Sequence, residues 1–126
     1  MKLAQLFGTR RTGDDAERIA ETFLVKNGLS VVARNYHCRH GEIDLIMRED
    51  ETLVFVEVKM RKINAGKVDF GGALASITKS KQAKIISTAQ HYLAGMKHLP
   101  PCRFDAVLLN GMNVKDVEWL KNAFEA

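Results

Sequence analysis

Apolar residues recur at helical spacing through Ala16, Ile19, Ala20, Phe23 and Leu24, which predicts an amphipathic helix over Thr12 to Gly28. Thr12 or Gly13 can cap it, Asp14, Asp15 and Glu17 suit the positive end of its dipole, and Gly28 suits its end. The period then changes. Leu29 to His37, Glu42 to Arg48 and Leu53 to Met60 read as three strands, with the acidic run Arg48-Glu49-Asp50-Glu51 as a hairpin turn. In the third strand Leu53, Phe55, Glu57 and Lys59 line one face and Val54, Val56, Val58 and Met60 the other. Apolar residues on both faces mark a central strand. Residues 62 to 76 have no clear period and contain Gly66, Gly71 and Gly72. Thr78 can cap a second helix reaching to near His98, with Ile85, Ile86, Ala89, Leu93 and Met96 on its apolar face. After Pro100-Pro101, Arg103 to Leu109 reads as a fourth strand, Asn110-Gly111 as a turn and Val114 to Leu120 as a short last strand. The order α-β-β-β-α-β predicts an α/β fold, a mixed central sheet flanked by helices.

Charges interrupt this pattern at one place. Asp44 lies inside the second strand, and Glu57 and Lys59 lie inside the third. A two-residue turn at Asp50-Glu51, or a four-residue turn from Glu49 to Thr52, puts Asp44 directly opposite Glu57; a three-residue turn would put it opposite Val56. Opposed residues have Cβ atoms about 4.5–5.5 Å apart, and like charges there are destabilising. Glu57 and Lys59 share a face about 7 Å apart along the strand. Two carboxylates and an ammonium therefore converge, and the acid pair needs a cation or a shared proton.

Composition narrows the setting. A chain of 126 residues suits one domain over 1–126, with residues 1–11 as a loosely held basic lead-in. The net charge of +4 is compatible with a polyanionic partner and equally with a merely soluble surface. No apolar run approaches the roughly 20 residues of a membrane helix, and the start lacks a signal-peptide core, so a cytoplasmic protein with no membrane partner is expected. Cys38 and Cys102 read as free thiols.

Three accounts of Asp44, Glu57 and Lys59 remain open on the residues alone. The acids can pair with bases such as Lys59 or Arg61 at a sheet rim. They can bind a divalent metal, since Mg²⁺ is typically held by one or two carboxylates with waters and substrate phosphate. They can share a proton, as in general acid/base sites. Lys79, Lys81 and Lys84 fall in the first turns of the second helix, where free amides and lysines suit phosphate, although a solvated lysine face accounts for them too. His37-Cys38-Arg39-His40 lacks a second pair to complete a zinc site, and no Walker-type phosphate loop is present.

Asp44, twelve intervening residues and then Glu57-Val58-Lys59 resemble the PD-(D/E)XK nuclease signature. The longer string is more specific. Arg34-Asn35-Tyr36, Gly41-Glu42-Ile43-Asp44-Leu45-Ile46, Phe55-Val56-Glu57-Val58-Lys59 and Arg61 resemble the bacterial YraN family of endonuclease-like proteins. Gly13-Asp14-Asp15-Ala16-Glu17, Ile77-Thr78-Lys79 and Arg103-Phe104-Asp105 extend the similarity over nearly the whole chain. The resemblance implies a restriction-endonuclease-like core similar to Holliday-junction resolvases. It also implies a Mg²⁺- or Mn²⁺-dependent endonuclease hydrolysing DNA phosphodiesters, on branched or damaged DNA and with little sequence specificity. Asp44 and Glu57 would be metal ligands, with the Val58 carbonyl as a third, and Lys59 the catalytic lysine. Glu17 matches the helical acid of resolvase-like members. Lys79, Lys81, Lys84 and Arg61 would contact phosphates, and a homodimer is the state such relatives often adopt. Ile43 replaces the proline of the signature, which removes no ligand. The alternative is a non-catalytic nucleic-acid-binding module that retains the fold.

Overall fold

A computed structural model describes residues 8–61, 77–110 and 116–126, with side chains described from Asp14 onward and not for Arg61. The glycine-containing connection over 62–76, the turn at Gly111 and the expected strand start at Val114 lie outside the described residues, as do residues 1–7 of the lead-in.

Helix α1 spans Gly8–Lys26 and is followed by β1 (Ser30–Cys38), β2 (Gly41–Glu49) and β3 (Thr52–Arg61). Helix α2 spans Lys79–Leu93, and β4 (Cys102–Asn110) and β5 (Val117–Phe124) complete the order. The five strands form one sheet in the order β1-β2-β3-β4-β5. β3 and β4 pair in parallel and the other neighbours antiparallel, so the α/β fold and mixed sheet expected of a restriction-endonuclease-like core are present. β3 is the central strand, and its alternation sorts the core into two layers. Val54 and Val56 pack with Ala16, Ala20 and Leu24 of α1. Leu53 and Phe55 pack with Ile77, Ile85 and Ala89 on the α2 side.

Local chemistry sets the element ends. Gly28 has φ +99°, its N–H donates to Val25 O and the Leu29 N–H donates to Leu24 O, both at 3.1 Å. This left-handed cap closes α1, and Leu24 and Leu29 are both buried beneath it. Thr78 caps α2 by accepting the Lys81 N–H.

Three boundaries differ from the sequence reading. α1 begins at Gly8, so Thr12 and Gly13 lie within the helix rather than at its start, and no acid occupies its first turn. α2 stops at Leu93, short of His98. Met96 is 36% exposed, because past Ala94-Gly95 the chain no longer faces the sheet. β5 runs to Phe124, whose ring stacks on Phe104 at 5.0 Å. Its apolar alternation breaks after Leu120 because the pairing shifts register between Phe104 and Ala106 and Asn122 takes φ +53°.

Candidate functional site

The β2–β3 hairpin assembles the acids. Its pairs run from Glu49↔Thr52 to Leu45↔Val56, around a two-residue turn in which Asp50 has φ +53°. Continued by one residue, this register puts Asp44 opposite Glu57, as the turn-length argument requires. The alternation slips there. Ile43 packs on the α2 side, while Leu45 and Met47 pack on the α1 side. The Asp44 carboxylate takes over the missing ladder bond, with Oδ2 accepting the Val58 N–H at 2.8 Å. The N–H and C=O of one strand residue leave on the same side, so the Val58 carbonyl also faces the Asp44 side.

Glu57 follows Phe55 on the α2 face and is 5% exposed. Lys81, in the first turn of α2, reaches it with Nζ 2.7 Å from Oε2. A cleft of about 250 Å³ is lined by Ala16, Glu17, Glu42, Asp44, Glu57, Val58, Lys59, Met60 and Lys81. Glu17 enters from α1, so helices on both faces of the sheet contribute to one cleft.

The acids resist ionisation. Burial pushes Asp44 up to about 6, opposed by the Val58 hydrogen bond and assisted by the charge of Glu17. Burial, then the charge of Asp44, pushes Glu57 up to about 7, although Lys81 acts in the opposite direction. A hydrogen bond between the two carboxyls acts in opposite directions on them, lowering Asp44 and raising Glu57. Glu17 is raised by its burial, against a hydrogen bond to Asp44, with Asp14 and Glu42 adding to the rise. Lys81 is held protonated first of all by its hydrogen bond to Glu57.

The structure therefore brings Glu17, Asp44, Glu57, Val58, Lys59 and Lys81 together. Lys59 is exposed at the cleft, and the base paired with Glu57 is Lys81 rather than Lys59. Lys79 and Lys84 are exposed on α2 and do not line the cleft, and the Arg61 side chain lies outside the described residues. One member, Glu42, and one role, that of Lys81, expected at phosphate, escaped the sequence reading. Glu42 is a cleft wall two residues before Asp44. Lys81 is a partner of the acids, and the signal for it was a lysine placed against the helix dipole opposite two unbalanced carboxylates.

Among the described residues no group of three or more His, Cys, Asp or Glu side chains forms a ready metal cage. The donors that fit a divalent cation are the two carboxylates of Asp44 and Glu57 with the Val58 carbonyl. These are hard oxygen ligands that leave positions for water, as Mg²⁺ or Mn²⁺ requires. The His37-to-His40 run is tied locally: His37 Nδ1 meets Asn35 O at 3.0 Å and the His40 N–H donates to Cys38 Sγ at 3.4 Å.

The remaining motifs hold the site in place. Arg34 pairs with Glu21 of α1 through two hydrogen bonds of 2.6 and 3.0 Å. Asn35, at φ +51°, hydrogen-bonds Glu17, and Tyr36 meets His91 Nδ1 at 2.5 Å. Three consecutive residues of β1 thus reach α1, the cleft and α2. Asp105 is fully buried, and its carboxylate accepts from Arg103 twice, from Trp119 Nε1 at 2.9 Å and from the Asn122 N–H at 2.9 Å. Those bonds clamp β4 to β5, and Asp105 does not line the cleft.

Known proteins resemble this chain over most of its length. A profile described as Uncharacterised protein family UPF0102 matches residues 16–109. A UPF0102 protein of Nitrosomonas europaea is 55% identical over 113 residues, covering 90% of this chain and 92% of its own length. One of Nitrosospira multiformis is 55% identical over 116 residues, covering 92% and 94%. One of Psychromonas ingrahamii is 47% identical over 126 residues, covering 99% of each chain.

Proposed function

This chain belongs to the UPF0102 family, the YraN nuclease-like family, and from its cleft we propose that it is a Mg²⁺- or Mn²⁺-dependent nuclease hydrolysing DNA phosphodiesters. The observation that carries the reading is the meeting of a half-buried Asp44 and a buried Glu57, carboxyls raised to about 6 and about 7, in a cleft that solvent reaches. A protein gains nothing in stability from such a pair, and pairs of this kind cluster where chemistry is done. Asp44 and Glu57 would hold the cation with the Val58 carbonyl. When bound, such a cation supplies Lewis-acid polarisation of a phosphodiester.

The other residues have roles consistent with that reaction. The Lys59 ammonium, exposed at the cleft, would offset negative charge developing on phosphorus. Glu17 adds a raised carboxyl able to accept a proton at the α1 wall. Lys79 and Lys84 on α2, with Arg61, would hold backbone phosphates. Phosphate contacts position a strand without reading its sequence, so branched or damaged DNA is a better candidate than a defined sequence. The test is a panel of linear, flapped and four-way DNA with Mg²⁺ or Mn²⁺. Cleavage lost in Glu57→Ala supports the assignment, and equal behaviour of the two proteins on every substrate refutes it.

One observation favours a second reading. Lys81 already neutralises Glu57, as it would in a nucleic-acid-binding module that had lost its metal. That module would bind DNA with strong salt dependence and would cleave none of the panel.

A further inference from the structure

Lys81 and Glu57 form an unequal pair. Glu57 is 5% exposed and fixed in the central strand, whereas the Lys81 side chain is 52% exposed. The base can therefore return to water at little cost and the acid cannot. The position also disfavours the base. Lys81 is the residue whose N–H the Thr78 cap binds, at the positive end of the α2 dipole. Its flexible stem and compact ammonium can swing without moving the helix. The cleft that holds Asp44 and Glu57 is the same one that Lys81 lines, so a cation binding there competes with the ammonium for Glu57.

We infer that Lys81 is a displaceable internal counter-ion: it neutralises Glu57 when no divalent cation is bound and is released towards a substrate phosphate when one binds. The inference rests on the metal reading of Asp44 and Glu57. It assigns Lys81 a positioning role, in which the cleft presents its ammonium to DNA only in the metal-loaded state. Metal loading and phosphate binding are thereby linked through one side chain.

The experiment is a Mn²⁺ titration followed by electron paramagnetic resonance of the free ion, on wild type, Lys81→Met and Lys81→Arg. Removing the competing charge tightens Mn²⁺ binding by about three- to tenfold in Lys81→Met, and Lys81→Gln gives the same change with a polar side chain. Lys81→Arg, which keeps the charge and can grip Glu57 with two donors, binds no tighter than wild type. Unchanged or weaker binding in both neutral variants, with wild type binding normally, overturns the inference alone. So does equal tightening in Lys81→Arg. Absence of Mn²⁺ binding in every protein overturns the metal reading and this inference with it. A second readout is DNA affinity by fluorescence anisotropy. Lys81→Met loses affinity when Ca²⁺ is present and not when it is absent, and an equal loss in both conditions contradicts a metal-linked release.

Discussion

Asp44 Oδ2 accepts the Val58 N–H at 2.8 Å, so the acid is held by the strand that carries its partner Glu57. The side chain replaces a ladder bond where the β2–β3 pairing stops, and this sets its position before any ligand arrives. Asp44→Asn keeps an acceptor for that N–H and removes the charge. Asp44→Ala leaves the N–H unpaired, at a cost of about 1–3 kcal/mol. Urea unfolding at pH 7.5 should therefore rank Asp44→Asn above Asp44→Ala in stability, and the reverse order would show that the hydrogen bond does not hold the strand.

The raised acids give stability a sign with pH. Asp44 and Glu57 titrate near 6 and 7 in the folded protein, above their ordinary values of 3.8 and 4.5. The folded state therefore binds more protons than the unfolded chain across this window, and stability falls as pH rises through it. Glu21 and Glu49 act oppositely, since Arg34 and Arg103 hold their carboxyls below the usual range. The contribution of the pair is isolated by comparing wild type with Asp44→Asn/Glu57→Gln. Between pH 4.5 and 8 wild type loses stability relative to the double variant. Parallel pH profiles in denaturant titrations would mean that the two carboxyls are not raised.

Asp105 lies in the Arg103-Phe104-Asp105 string that extends the family resemblance, and its bonds are structural. It carries no exposure and holds Arg103, Trp119 and the Asn122 backbone. Asp105→Ala leaves Trp119 Nε1 and the Asn122 N–H without their acceptor, while Arg103 keeps Glu49, and should cost about 1–3 kcal/mol, read as a lowered unfolding midpoint. At a temperature where the variant remains folded, its Mn²⁺ affinity should equal that of wild type. A selective loss of metal binding would place Asp105 in the site.

Gly41 has φ +146°, and a Cβ there would lie 3.3 Å from Thr88 Oγ1 and 3.6 Å from Lys84 Cβ. The β1–β2 turn thus approaches α2 closely enough that a Cβ would press on the Thr88 side chain. Gly41→Ala combines backbone strain with that contact and should cost about 1–3 kcal/mol. An unchanged thermal midpoint would mean that the turn and helix can separate freely.

Much of this was legible in the residues because the relevant patterns are local. The hairpin has the two-residue turn, one of the turn lengths that place Asp44 towards Glu57, and alternation along β3 sorted Leu53 and Phe55 from Val54 and Val56. The Thr78 and Gly28 caps were readable from residue type and place. What escaped depends on tertiary packing. α1 extends back to Gly8, ahead of the apolar stripe that suggests a start at Thr12. β5 was cut short because a bulge breaks its alternation before Phe124. The pairing of Lys81 with Glu57 joins residues from two elements, and no spacing rule reaches across that distance. Arg103-Phe104-Asp105 was legible as a motif, yet only its geometry separates a structural clamp from a reactive acid.

The central claim is that Asp44 and Glu57 together form a divalent-cation site. Its most direct test is a Mn²⁺ binding isotherm for wild type and for Asp44→Asn/Glu57→Gln at pH 7.5, with circular dichroism confirming that both are folded. The account predicts a saturable site in wild type that is absent from the double variant. Equal Mn²⁺ binding by the two folded proteins, or none by wild type, would contradict it.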